Sequence, residues 1–288
     1  MKRLICVLCW AGLGLMAACG GAGENSGSAL DRAEARAADA SRIMPPARED
    51  SLLAAESGLP VNERIGRWAR RYLAAEGVTY LFGLADGGYA AEGDLVRDDR
   101  QDCVSLMYRV TELARATDHR DALAWALKTR FAGTDPDSVV DAAGRVDYDR
   151  PEHLDFSLDM IRSGHWGRDV TPRLTGARPD SAGTSRYPAG SFVTVPTEAL
   201  VENELREGDI AWLVLDPAHE AAGRLRREYG LAVGHIGIVV IEDGRPWLVH
   251  AASSGLEGWY EGGTVVTVPL KVYLERVERY SAVVVTRF

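Results

Sequence analysis

The stretch Arg100-Gln101-Asp102-Cys103-Val104-Ser105-Leu106-Met107-Tyr108 sets one cysteine at the start of a predicted amphipathic helix. Asp102 is of a type favoured at the N-cap, because its carboxylate accepts hydrogen bonds from free N–H groups of the first turn. A thiol at a helix N-terminus lies where the dipole favours negative charge, so we expect the pKa of Cys103 to fall below ~8.5. Cys103 is therefore a candidate nucleophile; the simpler alternative is a small buried hydrophobic residue.

Two histidines in the last third of the chain lie on either side of a turn signal. His235 precedes Asp243-Gly244 and His250 follows it, at similar distances. An Asp-Gly pair between apolar runs predicts a tight hairpin, which would bring the two histidines to the same end of adjacent strands. A thiol nucleophile needs a base, and the base needs an orienting group. The three residues therefore predict a Cys-His-His site, with a zinc site built from the same ligand types as the alternative.

The N-terminus has the pattern of an export signal. A short basic region is followed by an apolar run from Leu4 to Ala18, which is too short to span a bilayer. The end of this run resembles a bacterial lipobox, which implies cleavage before Cys19 and lipid attachment to its sulfur. An ordinary secretory signal cleaved nearby is the alternative. By the same resemblance, Gly20 after Cys19 implies a periplasmic protein anchored to the outer membrane.

Composition divides the chain into three parts. We expect a lipoprotein signal peptide over residues 1–18, a flexible tether over 19–58 with a transient helix inside it, and one globular domain over 59–288. The 42 acidic residues exceed the 33 basic ones, for a net charge of -9. This acidic balance argues against nucleic acid as a partner and against membrane contact other than through the lipid anchor.

Cysteine usage singles out one thiol. Of the four cysteines, Cys6 and Cys9 would leave with the signal peptide, and Cys19 would be acylated. Cys103 would then be the only free thiol of an exported protein, which is the pattern of a reactive cysteine. A disulfide between Cys19 and Cys103 is the competing interpretation.

Hydrophobic periodicity predicts helices first and a sheet afterwards. Helices are expected over 60–77, from Cys103 to about 114, over 122–130, 153–161 and 218–229. Strands are expected over 145–148, 170–174, 191–195, 208–215, 235–241, 246–251, 265–268 and 282–286. This order is typical of an α+β domain with an antiparallel sheet.

Four segments together resemble the NlpC-type papain-like cell-wall hydrolases: Asp102-Cys103, Glu207-Gly208-Asp209-Ile210, Gly234-His235-Ile236-Gly237-Ile238-Val239 and Leu248-Val249-His250-Ala251. The segments 145–148, 150–153, 169–171 and 249–254 resemble more narrowly the N-acetylmuramoyl-L-alanine amidase-like branch. The resemblance implies an α+β papain-like NlpC-type fold, with N-terminal helices packed on an antiparallel sheet. It also implies Cys103 as nucleophile, His235 as general base and acid, and His250 as the orienting residue.

Further site residues follow from the resemblance and from local pattern. The candidate oxyanion and substrate-binding residues are Tyr80, Asp102, Ser105, Arg150 and His153. Local helix capping is the alternative for Ser105, and equally for Arg150 and His153. The chain departs from the family at Gly234, where a serine is expected, and in an expanded loop over 174–191.

The resemblance implies an exported cysteine amidase that hydrolyses the N-acetylmuramoyl-L-alanine amide bond of peptidoglycan or its muropeptide fragments, without a cofactor. One alternative is an endopeptidase of the same mechanism that cuts between D-glutamate and the diamino acid. A non-catalytic cell-wall-binding lipoprotein is a second alternative, and it would carry a thiol of ordinary pKa. An acyltransferase of related fold is a third.

Overall fold

A computed structural model describes residues 27–154 and 158–288. Its helices are α1 (Ala29–Ala38), α2 (Pro46–Ala55), α3 (Val61–Ala74), α4 (Tyr89–Glu92), α5 (Cys103–Arg115), α6 (His119–Arg130), α7 (Pro136–Val139), α8 (Leu158–Ser163), α9 (Glu220–Glu228) and α10 (Leu270–Arg276). Its strands are β1 (Thr79–Tyr80), β2 (Arg100–Gln101), β3 (Arg168–Asp169), β4 (Arg178–Pro179), β5 (Val193–Pro196), β6 (Ile210–Leu215), β7 (Val233–Glu242), β8 (Arg245–Ala252), β9 (Thr264–Pro269) and β10 (Tyr280–Arg287). The predicted signal peptide and Cys19 lie outside the described residues.

The centre of the fold is an antiparallel sheet with strand order β4-β5-β10-β6-β7-β8-β9, to which β3 is added beside β10. Helices α3 and α5 precede the long strands in the chain and pack on this sheet. The α+β class predicted from the sequence is therefore confirmed. The predicted strands over 145–148 and 170–174 are wrong, because the first contributes only a bridge at Val146 and the second contains a 3-10 turn over Thr171–Arg173.

The predicted hairpin is formed by β7 and β8. Its turn residues Asp243 and Gly244 have φ angles of 50° and 74°, the pair of left-handed conformations that a type I′ turn requires. The strands pair from Glu242–Arg245 to Ile238–Val249. Continued toward the open end, this register sets His250 opposite Gly237, so His235 and His250 are diagonal neighbours on one face.

The two faces of this hairpin pack against different helices. One face packs against α3 and α5, in a cluster that includes Ile238, Val249, Trp68 and Leu106. The other face packs against α10, in a cluster that includes Val239, Leu248 and Tyr273. Because side chains alternate along a strand, the two histidines lie on the α10 face.

The loop-rich middle segment is held to the domain by a buried arginine. Arg226 of α9 pairs with Asp180 at 2.7 Å and donates to the carbonyls of Gly183 and Leu215 at 3.0 and 2.9 Å. These bonds satisfy a guanidinium that is 2% exposed. They tie the segment before β5 to the end of β6, beside the open end of the hairpin.

The described part of the predicted tether is folded. Residues 29–38 and 46–55 form α1 and α2. Ala29, Ala33 and Ala37 are buried against one core cluster, and Leu53 against another. Helix α1 lies where a helix was predicted inside the tether, but an alanine stripe carries a weak hydrophobic signal, so its packing was not predicted. Helix α2 was not predicted. Across the described ranges, none of the helices combines the length and apolar character that crossing a membrane requires.

Candidate active site

The first turn of α5 is closed by a capping box around Asp102. Its Oδ1 accepts hydrogen bonds from the N–H groups of Val104 and Ser105 at 2.9 and 2.8 Å, and its Oδ2 accepts from Gly83 at 2.8 Å. The Ser105 hydroxyl accepts from the Asp102 N–H at 2.9 Å. Within the described residues, these bonds leave the Cys103 N–H as the first-turn donor without an acceptor.

Cys103 is a free, half-buried cysteine that lines a cavity of about 850 Å³ together with His235, His250 and Tyr80. Burial and the Asp102 carboxylate raise the pKa of its thiol to about 12, while the Ile236 N–H acts in the opposite direction. The expected low pKa is therefore contradicted. Asp102, which caps the helix, accepts hydrogen bonds from two first-turn N–H groups of α5 and adds a negative charge beside the sulfur.

The two histidines form a hydrogen-bonded pair, as the hairpin prediction required. Nε2 of His235 lies 2.8 Å from Nδ1 of His250, and the residues are 8% and 1% exposed. Burial lowers the pKa of His235 well below its ordinary value, and His250 and Arg279 lower it further. Burial lowers the pKa of His250 to about 3. Both rings are therefore neutral at pH 7, and Nδ1 of His235 is the nitrogen left to accept a proton.

Within the described part of the chain, no hydrogen bond joins the Cys103 thiol to either ring. The thiol and the imidazoles share one cavity, and such contacts commonly shorten when substrate binds. The site thus holds a neutral thiol and a neutral imidazole rather than a preformed ion pair.

Tyrosine rings surround His250. The ring centroids of Tyr273 and Tyr260 lie 4.8 and 5.5 Å from that of His250, at steep interplanar angles of 68° and 74°. Nε2 of His250 has no hydrogen-bond partner among the described residues. A proton on that nitrogen would be accommodated by weak N–H···π contacts with these rings. Sequence reasoning missed both tyrosines, because nothing in their spacing marks them as neighbours of a histidine on another strand.

Tyr80 and His153 line the same cavity as Cys103. Burial and the nearby Cys103 and Asp102 raise the pKa of Tyr80 to about 12, so its hydroxyl is protonated and able to donate. Nε2 of His153 lies 3.4 Å from the Tyr108 hydroxyl. Both positions are compatible with the predicted substrate-binding role.

The other three candidate binding residues are occupied locally. The oxygens of Asp102 accept backbone bonds, as described above, and the Ser105 hydroxyl donates to Gln101 Oε1 at 2.9 Å. Arg150 donates to the Ser138 carbonyl at 2.8 Å and pairs with Glu152 at 3.2 Å. Neither Ser105 nor Arg150 lines the cavity. Their predicted substrate contacts are therefore corrected to capping and loop bonding.

Gly234, where the family resemblance leads one to expect serine, has a packing reason. A Cβ at this position would lie 2.4 Å from the end of the Leu215 side chain and 3.1 Å from the Tyr280 ring. A serine would require Leu215 to move, so the neighbouring side chains account for the glycine.

The zinc alternative requires at least three ligating side chains close together. Among residues 27–154 and 158–288, no group of three or more histidine, cysteine, aspartate or glutamate side chains is placed to hold a metal ion. This finding includes Cys103 and both histidines, which all lie in the described ranges.

Comparison with known proteins shows similarity of fold. No protein-family model matches the sequence, and no curated protein matches it. An N-acetylmuramoyl-L-alanine amidase from Bacteroides uniformis is similar in structure, with a TM-score of 0.55 and 20% identity over 79% of this chain and 98% of that chain. A Legionella pneumophila protein of the family DUF1460 has a TM-score of 0.58 and 15% identity over 83% and 93%. At these identities, the likeness establishes the α+β fold alone.

Proposed function

We propose that this protein is an exported cysteine amidase that cleaves the amide bond between the lactyl group of N-acetylmuramic acid and L-alanine. One observation carries the proposal: a free thiol at the N-terminus of α5 shares a cavity with a hydrogen-bonded pair of neutral histidines. A base with one nitrogen held by an orienting group is what thiol activation requires. The fold shared with a muramoyl-L-alanine amidase supports the choice of substrate.

In the first step, the Cys103 sulfur attacks the lactyl carbonyl carbon while the thiol proton passes to Nδ1 of His235. The resulting imidazolium donates through Nε2 to His250 Nδ1, the contact of 2.8 Å. Because both partners are neutral at rest, the proton moves as the carbon–sulfur bond forms. His250 thus holds His235 in the tautomer that accepts the proton.

The tetrahedral intermediate carries a negative oxygen, and two groups support its stabilisation. The Cys103 N–H is the first-turn donor that the capping box leaves without an acceptor, and the Tyr80 hydroxyl is a second donor in the cavity. One such donor is typically worth about 3 kcal/mol in the transition state. His235 then protonates the alanine nitrogen, the amine leaves, and water hydrolyses the thioester.

The cavity rim supports a substrate with a saccharide part. Phe82, Leu84 and Tyr229 are 53%, 59% and 45% exposed, and all three line the cavity. Exposed apolar groups around a pocket mark a binding surface. Apolar faces of this kind fit the C–H face of a sugar ring, which favours the muramoyl amide over a bond deeper in the stem peptide.

The central test is Cys103→Ala on a defined muropeptide, with products weighed by mass spectrometry. Wild-type protein is expected to release a stem peptide with a free L-alanine amine, and the variant is expected to lose turnover at unchanged melting temperature. A fragment ending in D-glutamate would instead identify the endopeptidase. Binding without turnover by the wild type would identify a binding lipoprotein, and turnover by the variant would exclude the mechanism.

Export and lipidation at Cys19 are part of the proposal and rest on the N-terminal pattern. Cys19→Ser is expected to abolish metabolic labelling with radioactive palmitate and to release the protein from membranes. Full labelling of the variant would contradict lipidation at this cysteine.

A further inference from the structure

Arg279 is a cation that lines the cavity and has no acidic partner in the described part of the chain. It lies between α10 and β10 and borders the same cavity as Cys103 and His235. Its guanidinium carbon is 4.9 Å from the centroid of the Tyr280 ring, a cation–π distance that restricts its orientation. Among the described residues it forms no ion pair, whereas Arg226 and Arg287 each pair with an aspartate.

The segment over residues 276–279 brings a local excess of positive charge to the cavity wall. Arg276 and Glu278 also line this wall, and neither forms an ion pair within the described ranges. Tyr280, which contacts Arg279, and Tyr273, which stacks on Tyr280, have pKa values raised above the ordinary tyrosine range by burial and are neutral. Residues 276–279 thus bring two guanidinium groups and one carboxylate to the cavity, a local excess of positive charge, while Asp102, Asp149 and Arg186 line other parts of it.

We propose that Arg279 binds a substrate carboxylate, and that this carboxylate is the free α-carboxylate of the D-glutamate in the stem peptide. The proposal rests on the proposed function. In a peptide that continues through the glutamate side chain, this is the first negative group beyond L-alanine. When the muramoyl amide bond is cut, this carboxylate lies on the leaving-group side of the scissile bond.

Geometry near the reacting sulfur supports this placement. Arg279 and Cys103 line one cavity, and the charge of the guanidinium acts to lower the pKa of the Cys103 thiol. A guanidinium is a planar donor suited to two parallel hydrogen bonds with a carboxylate. A substrate held in this way would place its scissile carbonyl in the cavity that Cys103 lines.

The test uses two synthetic muropeptides that differ only in this group, one with D-isoglutamate and one with the carboxamide D-isoglutamine. Wild-type kcat/KM is expected to favour the carboxylate by about 10- to 100-fold, the range of a charge-assisted hydrogen bond. Arg279→Gln is expected to bring the ratio close to one through loss on the carboxylate substrate alone. Arg245→Gln, at the far exposed end of the β7–β8 hairpin, is the matched control and should keep the wild-type ratio.

Equal rates on both substrates for the wild type, or an equal loss on both in Arg279→Gln, would overturn the assignment. The second result would show that Arg279 acts on the nucleophile rather than on the substrate. If neither substrate is cleaved, the proposed function fails separately, and calorimetric binding to Cys103→Ala decides the present question. Preference for the carboxylate in Cys103→Ala, lost in the double variant with Arg279→Gln, would support it, and equal affinity would refute it.

Discussion

Helix α5 carries two polar clusters that differ in how their charge is compensated. In the middle of α5, Arg109 donates a hydrogen bond to Asp98 at 2.9 Å. Arg130 of α6 donates two hydrogen bonds of 2.8 Å to Glu112 of α5. All four residues are at most 1% exposed. At its first turn, Cys103 faces imidazoles that carry no charge at rest. One helix thus holds a network of paired ions and, two turns away, a site of neutral groups.

The pKa directions separate the two clusters. Burial alone would lower the pKa of Arg109, but the carboxylates Asp98, Glu49 and Glu112 raise it well above its ordinary value. At the first turn, burial prevails: the pKa of Cys103 is raised and those of the histidines are lowered. Compensated charges hold elements together and do not change state. The Cys103 thiol and the two imidazoles have no charged partner of this kind. They remain neutral until the reaction with substrate transfers the thiol proton to His235.

The largest expected effect is on the ion-paired cluster. Arg130→Met leaves Glu112 buried beside fewer donors, and we expect it to reduce the free energy of unfolding by about 3–5 kcal/mol. Cys103 and the two histidines should keep their positions in the fraction that folds, since the described contacts of Arg130 in the cavity are with Tyr108 and Tyr148. Chemical denaturation followed by fluorescence measures the loss, and kcat per folded molecule measures the second expectation.

Arg145→Met is the matched control for that variant. Arg145 pairs with Asp141 at 3.0 Å, but both side chains are exposed, so we expect a loss of at most ~0.5 kcal/mol. Similar losses of unfolding free energy for Arg130→Met and Arg145→Met would show that the buried cluster stabilises the protein no more than an exposed ion pair does.

A smaller effect is expected at the cap of α5. Asp102→Asn removes the negative charge beside the sulfur but keeps an oxygen for the first-turn N–H groups. Cys103 of the wild type should be alkylated with an apparent pKa above the ~8.5 of free cysteine, and the variant with a lower one, because a carboxylate near the sulfur disfavours the thiolate. The cost in stability is expected to be about 1 kcal/mol. The pH dependence of iodoacetamide reaction, followed by mass spectrometry, measures both pKa values.

Asp118→Asn provides the matched cap. Asp118 caps α6 by accepting from the Asp121 N–H at 2.7 Å, on a helix that does not carry the thiol. Asp118→Asn should reduce the free energy of unfolding by about as much as Asp102→Asn does. It should leave the pH dependence of Cys103 alkylation unchanged. A wild-type profile that plateaus near pH 6 would show a preformed thiolate and would contradict the neutral site.

Local pattern was sufficient for the elements that position the site. The N-cap at Asp102, the hairpin turn at Asp243-Gly244 and the helix beginning after Pro60 were all predicted, because caps, turns and periodicity act within a few residues. The packing of α1 and the existence of α2 were not predicted, because both depend on contacts with distant parts of the chain. Arg279, Tyr260 and Tyr273 were missed for the same reason.

The sequence by itself determined the α+β class, the helix that begins at Cys103, and the pairing of His235 with His250, since each follows from short-range backbone preferences. Only the tertiary structure decided the charge state of the site and the chemistry of its walls. Desolvation and electrostatic interaction depend on which groups meet in space. From the sequence, the helix dipole predicted a low pKa for the Cys103 thiol. In the structure, burial and the neighbouring carboxylate of Asp102 raise that pKa instead.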